Sequence, residues 1–384
     1  MSRFRIGMRE LLSLSLSLSL SISLLSGCSG KQNQADDNAG IDLAPEARCL
    51  YLADGDGYRI ARMYAPDDTV HPVATYLLVP RDKPLPDDLP KGTVVRVPLA
   101  STLVYSTVTA EAMKELGSIS SVRGVVDKQY FTQPEIQEGL KKGKVTDAGA
   151  ASSPSAEKII AMKPDAIILN LYEGMDVAGV DALGVPLIKL MDNHEQSPLG
   201  RAEWIKLIGS LTGKESIADS IYNSVAANYK RLSEQTSRLG RRPKVLTENM
   251  YQGVWYVPGG RSFQSRLIQD AGGDYFRKDD KSAGTLALSF EEVFSKGRDA
   301  DIWLLKVYDK ELTHATLLKE DARYAGFKAA GNGGVYYANT ADAAIFNDMV
   351  YHPDRLLEDY AEIFSSFSSG KAPNHLRYFR KMPN

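Results

Sequence analysis

Side chains able to do chemistry occur along the whole chain, but few fall at the spacings that chemistry requires. The histidines His71, His194, His314, His352 and His375 are scattered, and no two have the separation of zinc ligands. His194-Glu195 lacks the second histidine of a metalloprotease helix, and no Gly-x-Ser-x-Gly elbow presents a serine nucleophile. Gly259-Gly260-Arg261-Ser262 lacks the Gly-Lys-Ser/Thr ending of a phosphate loop, although an anion could rest on amides that precede a helix there. Asp54-Gly55-Asp56-Gly57 suggests a calcium loop, but Tyr58 stands where a further oxygen ligand is needed and no Glu closes the pattern. It reads as a turn. Neither a metal site nor a catalytic centre emerges, which leaves binding as the chemistry to look for.

The residues suited to holding a ligand sit just past strand-like runs. They are Ser101 and Thr102, Asn170 and Tyr172, and Asp192 and Asn193 in the first half of the chain. In the second half they are Tyr251, Trp255, Arg261 and Tyr308. Aromatic rings give rigid planar area to a macrocycle or a catecholate, and arginine gives charge to an anionic complex. Aromatics near strands also pack in cores, so Trp255 and Tyr251 have that second reading.

The elements that would position these residues change character along the chain. Residues 45–92 hold short apolar runs around turns, with Leu50–Leu52 before Asp54-Gly55 and Thr75–Val79 before Pro80, as in antiparallel β-structure. From Thr93, β-branched runs alternate with helical stretches: Thr93–Leu99, a helix near Ser101–Leu116, Val122–Asp127, Lys144–Ala148, a helix near Ser153–Met162, Asp165–Asn170 and Val185–Leu190. That alternation predicts parallel βαβ units. A second series follows Pro243, with Lys244–Thr247, a helix near Ser262–Ala271, Ala300–Val307 and Gly334–Tyr337. Between the series, Lys214–Gly240 has almost no helix breaker, and Ile217, Ile221, Val225, Tyr229 and Leu232 form one apolar stripe. A helix of that length extends about 40 Å. The expected fold is therefore α/β, with two Rossmann-like lobes at 93–213 and 242–384 joined by one long helix at 214–241. Ligands in such sheets bind beyond the carboxyl ends of the strands, so a cleft between the lobes is expected.

The first residues carry Arg3, Arg5 and Arg9, then a Leu/Ser-rich apolar run ending in Leu25-Ser26-Gly27-Cys28. A basic start, a short apolar stretch and small residues before a break are the parts of a secretory signal, here residues 1–27. The ending looks like a bacterial lipobox that leaves a lipidated Cys28, and residues 28–44 then read as a polar tether. With 46 basic and 48 acidic residues the chain shows no nucleic-acid footprint. Cys49 is the only cysteine besides Cys28, so no internal disulfide is expected, and Cys49 reads as a small buried hydrophobe.

The layout, together with several segments, resembles the class III ABC-importer binding proteins that carry ferric siderophores, haem and cobalamin. The likeness covers residues 90–365. It rests on Ala156–Asp165, Gly184–Ile188, Pro198–Trp204, Trp255 with Pro258-Gly259-Gly260, and Asp270–Gly273 in this order. The resemblance implies a monomeric, lipid-anchored receptor on the periplasmic face of the membrane, not an enzyme and without a cofactor of its own. Its ligand would be an iron chelate, haem or corrinoid, delivered to an ABC permease dimer with its ATPase subunits. The resemblance also implies one docking carboxylate per lobe: Glu157 on the helix before Lys163-Pro164-Asp165, and Glu291 in Leu288–Val293. Where cobalamin binders present cleft tryptophans this chain has Ala151, Asn170 and Thr285, which favours an iron complex over cobalamin. Rival readings are a metal-dependent lipoprotein enzyme on the same frame, and a structural lipoprotein with a filled cleft.

Overall fold

A computed structural model describes residues 40–170, 179–308 and 310–383. The described chain opens in a four-stranded sheet of β1 (Leu50–Asp54), β2 (Arg59–Ala65), β3 (Asp68–Pro80) and β4 (Thr93–Val97), in that spatial order. The Asp54–Gly57 segment is the turn joining β1 to β2, closed by the Gly55 N–H donating to the Tyr58 carbonyl at 2.8 Å. β1, β2 and β3 are antiparallel, but β4 runs parallel to β3. The Thr93 run thus completes the first sheet rather than opening lobe one. Its alternating pattern cannot say which neighbour a strand will choose.

Lobe one is the all-parallel sheet β11-β10-β5-β6-β7, from β5 (Thr102–Val104), β6 (Val122–Val125), β7 (Thr146–Asp147), β10 (Ala166–Asn170) and β11 (Leu187–Leu190). A small hairpin of β8 (Gly149–Ala150) and β9 (Ser153–Pro154) interrupts the connection after β7. Helices α1 (Thr107–Glu115), α2 (Pro134–Lys141) and α3 (Ala156–Met162) make the crossovers. The Pro164-Asp165 pair opens β10 for a physical reason. Asp165 accepts from the N–H groups of Ala100 (2.7 Å) and Ser101 (2.9 Å) and pairs with Arg81 at 2.6 Å, tying β10 to β5 and to the first sheet. Burial works to raise its carboxyl pKa, but those donors outweigh it and hold the group below its usual range.

After α4 (Pro198–Ala202) and α5 (Ile205–Thr212), helix α6 spans Glu215–Thr236. At 22 residues it reaches about 33 Å. Ala218, Tyr222, Val225, Ala226, Tyr229, Leu232 and Thr236 form its buried stripe, while Ile217 at the start is left exposed.

Lobe two is the sheet β15-β12-β17-β18-β19, with β12 (Lys244–Thr247), β15 (Asp274–Tyr275), β17 (Ile302–Val307) and β18 (Val335–Asn339) parallel and β19 (Arg380–Lys381) antiparallel. Beside it lies an antiparallel sheet of β13 (Met250–Tyr251), β14 (Val254–Pro258) and β16 (Thr285–Leu288), absent from the sequence expectation. Helices α7 (Phe263–Asp270), α8 (Phe290–Gly297), α9 (His314–Glu320) and α10 (Lys328–Gly331) belong to this lobe. The chain then forms α11 (Ile345–Tyr351) and α12 (Pro353–Ser369), and α12 packs along α6. One apolar core runs unbroken from the first sheet through α5 and α6 to α7, α11 and α12. The lobes are halves of one packed body.

Two buried carboxylates fasten the first sheet to lobe one. Glu195 accepts from the N–H of Arg48 (3.0 Å) and Cys49 (2.7 Å) and from the Trp204 indole (3.1 Å). Glu203 accepts from the N–H of Glu46 (2.7 Å) and Ala47 (2.9 Å) and from Lys206 (2.8 Å). Glycine is required at Gly200, where a Cβ would lie 2.5 Å from the Glu46 carbonyl. Glu195→Ala strands two buried donors, the Cys49 N–H and the Trp204 indole, and the part-buried Arg48 N–H. It should lower unfolding stability by about 3 kcal/mol or more, read as a lower urea midpoint, while the solvent-exposed Glu138→Ala should leave that midpoint unchanged. A Glu195→Ala loss below about 1 kcal/mol would show that the attachment does not depend on this carboxylate.

Candidate functional site

The carboxyl ends of β11, β12 and β17 open into one cleft of about 1240 Å³ between the lobes. That exceeds the roughly 300–1,000 Å³ of usual small-ligand pockets. Lobe one lines it with Met191 and Asn193–Gln196, which follow β11. Lobe two contributes Glu248 after β12, Lys306 near the end of β17, Tyr256 of β14 and the Arg261–Gln264 start of α7. Phe346 of α11 closes one side. Two of these aromatic residues are open to solvent, Tyr256 at 46% and Phe346 at 50%. The Arg261 side chain is exposed and has no hydrogen-bond or ion-pair partner among the described residues. His194 is half-buried beside it on the opposite lobe's loop.

Beneath the lining, a chain of polar contacts forms the floor. The Asn170 amide donates to Asp192, Asp192 pairs with Arg201 at 3.3 Å, and the Arg201 guanidinium lies 4.6 Å from the Phe263 ring centroid. This chain of contacts passes from the end of β10 to the first turn of α7, so it fixes one lobe against the other. Across the floor, Glu248 pairs with Lys306. Glu248 adopts a left-handed backbone, φ 61°, that few non-glycine residues take. Two indoles hold it there: Trp255 donates to the Thr247 carbonyl at 3.0 Å and Trp303 to the Glu248 carbonyl at 2.7 Å.

Of the residues singled out from the sequence, Arg261 lines this cleft, as does Asn193. Trp255 does not. It is fully buried and stacks on Trp303 within a cluster that includes Tyr324, Phe327 and Phe290. Its part is to shape the turn under Glu248. Thr102 is also fully buried, its hydroxyl donating to the Ser121 carbonyl at 2.9 Å. With Ser101 it stands at the amino end of β5, opposite to the end where the cleft opens, because α1 begins at Thr107 and not at Ser101. Asp192 is 1% exposed and committed to Asn170 and Arg201, and neither Asp192 nor the half-buried Asn170 is among the residues that line the cleft. Tyr251 (66% exposed) sits at a two-residue hairpin turn and Tyr308 (77%) follows β17, both outside the cleft lining. Tyr172 and Cys28 lie outside the described residues.

The reading of the sequence passed over Glu248, Lys306, Tyr256, Phe346 and Arg48. Glu248 was within reach, since it follows a recognised strand as Asp192 does. Tyr256 was not, because β14 belongs to a sheet whose pairing is non-local. Among the described residues no group of three or more His, Cys, Asp or Glu side chains is placed to hold a metal ion.

A family model described as periplasmic binding protein matches residues 104–341. An uncharacterized lipoprotein of Methanocaldococcus jannaschii is 30% identical over 281 residues, 68% of this chain and 66% of the relative. A second uncharacterized protein of that organism is 23% identical over 298 residues, 74% of this chain and 87% of its own length. The chain thus spans just under two thirds of the first relative. Similar folds occur in a periplasmic heme binding protein from Pseudomonas aeruginosa (TM-score 0.56, 18% identity, 74% of this chain and 99% of that one). They occur also in the periplasmic heme-binding protein RhuT from Roseiflexus (0.55, 21%, 70% and 99%) and the vitamin B12 binding protein BtuF of Vibrio cholerae (0.53, 14%, 71% and 99%).

Truncating Trp255 removes a ring from the centre of this cluster and the donor to Thr247. Trp255→Ala should cost about 3–5 kcal/mol of stability, measured by chemical denaturation. A variant that keeps wild-type stability would place the ring in the cleft after all.

Proposed function

The chain belongs to the periplasmic binding protein family, and from that premise we propose that it is the substrate-binding lipoprotein of an ABC importer for an anionic iron chelate, a ferric siderophore or haem. The observation that carries this reading is the open cleft of about 1240 Å³ with exposed Tyr256 and Phe346 rings and the unpaired Arg261 guanidinium. Flat rings gain from a large rigid ligand, and a free guanidinium favours carboxylate or catecholate oxygens. The family is one of solute-binding proteins, so capture and release is the activity to expect. The cleft is open, which argues against a filler or purely structural role.

Ala151, Asn170 and Thr285, half-buried or exposed, offer no ring where cobalamin binders present tryptophan. Their lack of rings supports the choice of an iron chelate over cobalamin in this reading. In this reading Cys28 carries the lipid and tethers the receptor at the periplasmic face. Among the described residues no helix is long and apolar enough to cross a membrane. Partners are a permease dimer with its ATPase subunits.

Delivery assigns Glu157 and Glu291 to permease docking. Each stands in the first turn of a helix, α3 and α8, that runs back from the carboxyl edge of its sheet, so both lie toward the cleft side. Glu157 is exposed, and Glu291 is 77% exposed with Arg323 at 3.6 Å. The capping box of α8 is made by Glu292 with Ser289, which leaves Glu291 without a structural task at that helix start.

Purified protein should be stabilised by haemin, a ferric catecholate, a ferric hydroxamate or cyanocobalamin. At a ligand excess of a hundredfold over Kd the gain is about 2.7 kcal/mol, visible as a rise in melting temperature. A flat response to all four would sink the binding reading. For docking, the double variant Glu157→Lys with Glu291→Lys should bind ligand as the wild type does yet fail to support uptake in cells, with each single variant partly active. Normal uptake by the double variant would remove the docking assignment, and lost ligand affinity would move these carboxylates into the cleft.

A further inference from the structure

The cleft has a wall that neither lobe supplies. Arg48, ahead of β1, and Ala65, Pro66 and Asp67 at the β2–β3 turn line the same cavity as Arg261 and His194. All four precede residue 104, where the match to the family model begins. The first sheet thus reaches the ligand space from outside the residues that the family model matches.

Its attachment is specific at that place. The Arg48 N–H donates to Glu195, itself a cleft residue, and the Cys49 N–H donates to the other oxygen of the same carboxylate. The backbone of residue 48 is thus fixed, while its guanidinium is exposed and has no hydrogen-bond or ion-pair partner among the described residues. The β2–β3 hairpin carries its turn at 65–67 to the cleft, with register shifts between Met63 and Tyr64 and between Tyr64 and Ala65 just before it. Bulges of this kind re-aim the residues that follow.

We propose that the first sheet forms a third wall of the ligand cleft, and that Arg48 on this wall reads negative charge on the bound complex. This rests on the binding reading above. Arg48 and Arg261 then present two unpaired guanidiniums from separate elements, a pairing suited to a ligand with two anionic groups, as in the two propionates of haem or the oxygens of a triscatecholate. An uncharged ferric trihydroxamate would gain little from either. Asp67 at the turn gives the rim the opposite sign, so that negative charge is favoured beside Arg48 and not at the lip.

The test compares wild type with Arg48→Gln by titration with haemin, a ferric triscatecholate and a ferric trihydroxamate. Gln keeps the backbone N–H that Glu195 holds, so the melting temperature of the free protein should stay at the wild-type value. Affinity for the anionic probes should fall about tenfold, the loss of one charge-assisted contact, and should become less dependent on salt. The trihydroxamate should change less than threefold. In hydrogen exchange on the wild type, amides at 65–69 should slow when an anionic probe binds. Unchanged affinity of Arg48→Gln for the anionic probes overturns the assignment, and so does an equal loss for charged and uncharged probes or a wild type that binds the trihydroxamate alone. A wild type that binds none of the three overturns the binding reading and this wall with it.

Discussion

Glu195 and Glu203 are the constraint on which the arrangement depends. Each is nearly inaccessible, at 3% and 1% exposure. A buried carboxylate is tolerable only with donors on its oxygens. The donors come from the backbone of 46–49, from the Trp204 indole and from Lys206. Burial still pushes the Glu203 carboxyl above its ordinary pKa, against the pull of Lys206 and the Ala47 and Glu46 amides. Those donors cannot be replaced by water at that depth, so the chain entering β1 has one place to lie. From there the position of the first sheet, and of everything it carries to the cleft, is determined.

Lobe two solves a related problem with neutral donors. The end of β12 must turn sharply to leave room for a cleft, and at Glu248 it does so in a left-handed conformation costing about 1 kcal/mol or more for a residue with a Cβ. Two tryptophan N–H groups grip the successive carbonyls at 247 and 248, and Lys306 holds the side chain. The aromatic cluster behind them is thus a support for the floor. Conserving its volume matters to the site even though no ring of it faces the ligand space.

How much of this was legible in the sequence follows from the range of the interactions concerned. The one-sided apolar stripe gave the long helix, and short apolar runs gave β6, β10, β11, β12, β17 and β18, several of them buried on both faces. Both signals failed for β5, which has only three residues and opens on Thr102, whose hydroxyl is hidden on Ser121. Ser101 and Thr102 then read as residues that follow the Thr93–Leu99 strand, whereas they stand at the amino end of β5. Trp255 read as a site residue because an indole near a strand end looks alike whether it faces inward or outward. The third wall was invisible for a different reason: Arg48 meets Glu195 across 147 positions, and nothing near residue 48 announces that meeting.

These attachments also bear on how the cleft works. Lobes that swing freely meet through a few extended residues. Here α6, α12 and one continuous core join them, and the Asn170–Asp192–Arg201–Phe263 chain crosses between them at the floor. Opening such a core exposes apolar surface at roughly 25 cal/mol per Å², so wide excursions are costly and small ones are not. A cleft that cannot close far must be shaped before the ligand arrives. On the binding reading proposed above, selectivity then rests on fixed groups at the cleft's edges rather than on induced fit. The first sheet shares that core through β1–β4 and reaches the cleft only through Arg48 and the 65–67 turn, so those few residues, and not the strands behind them, are the part free to vary.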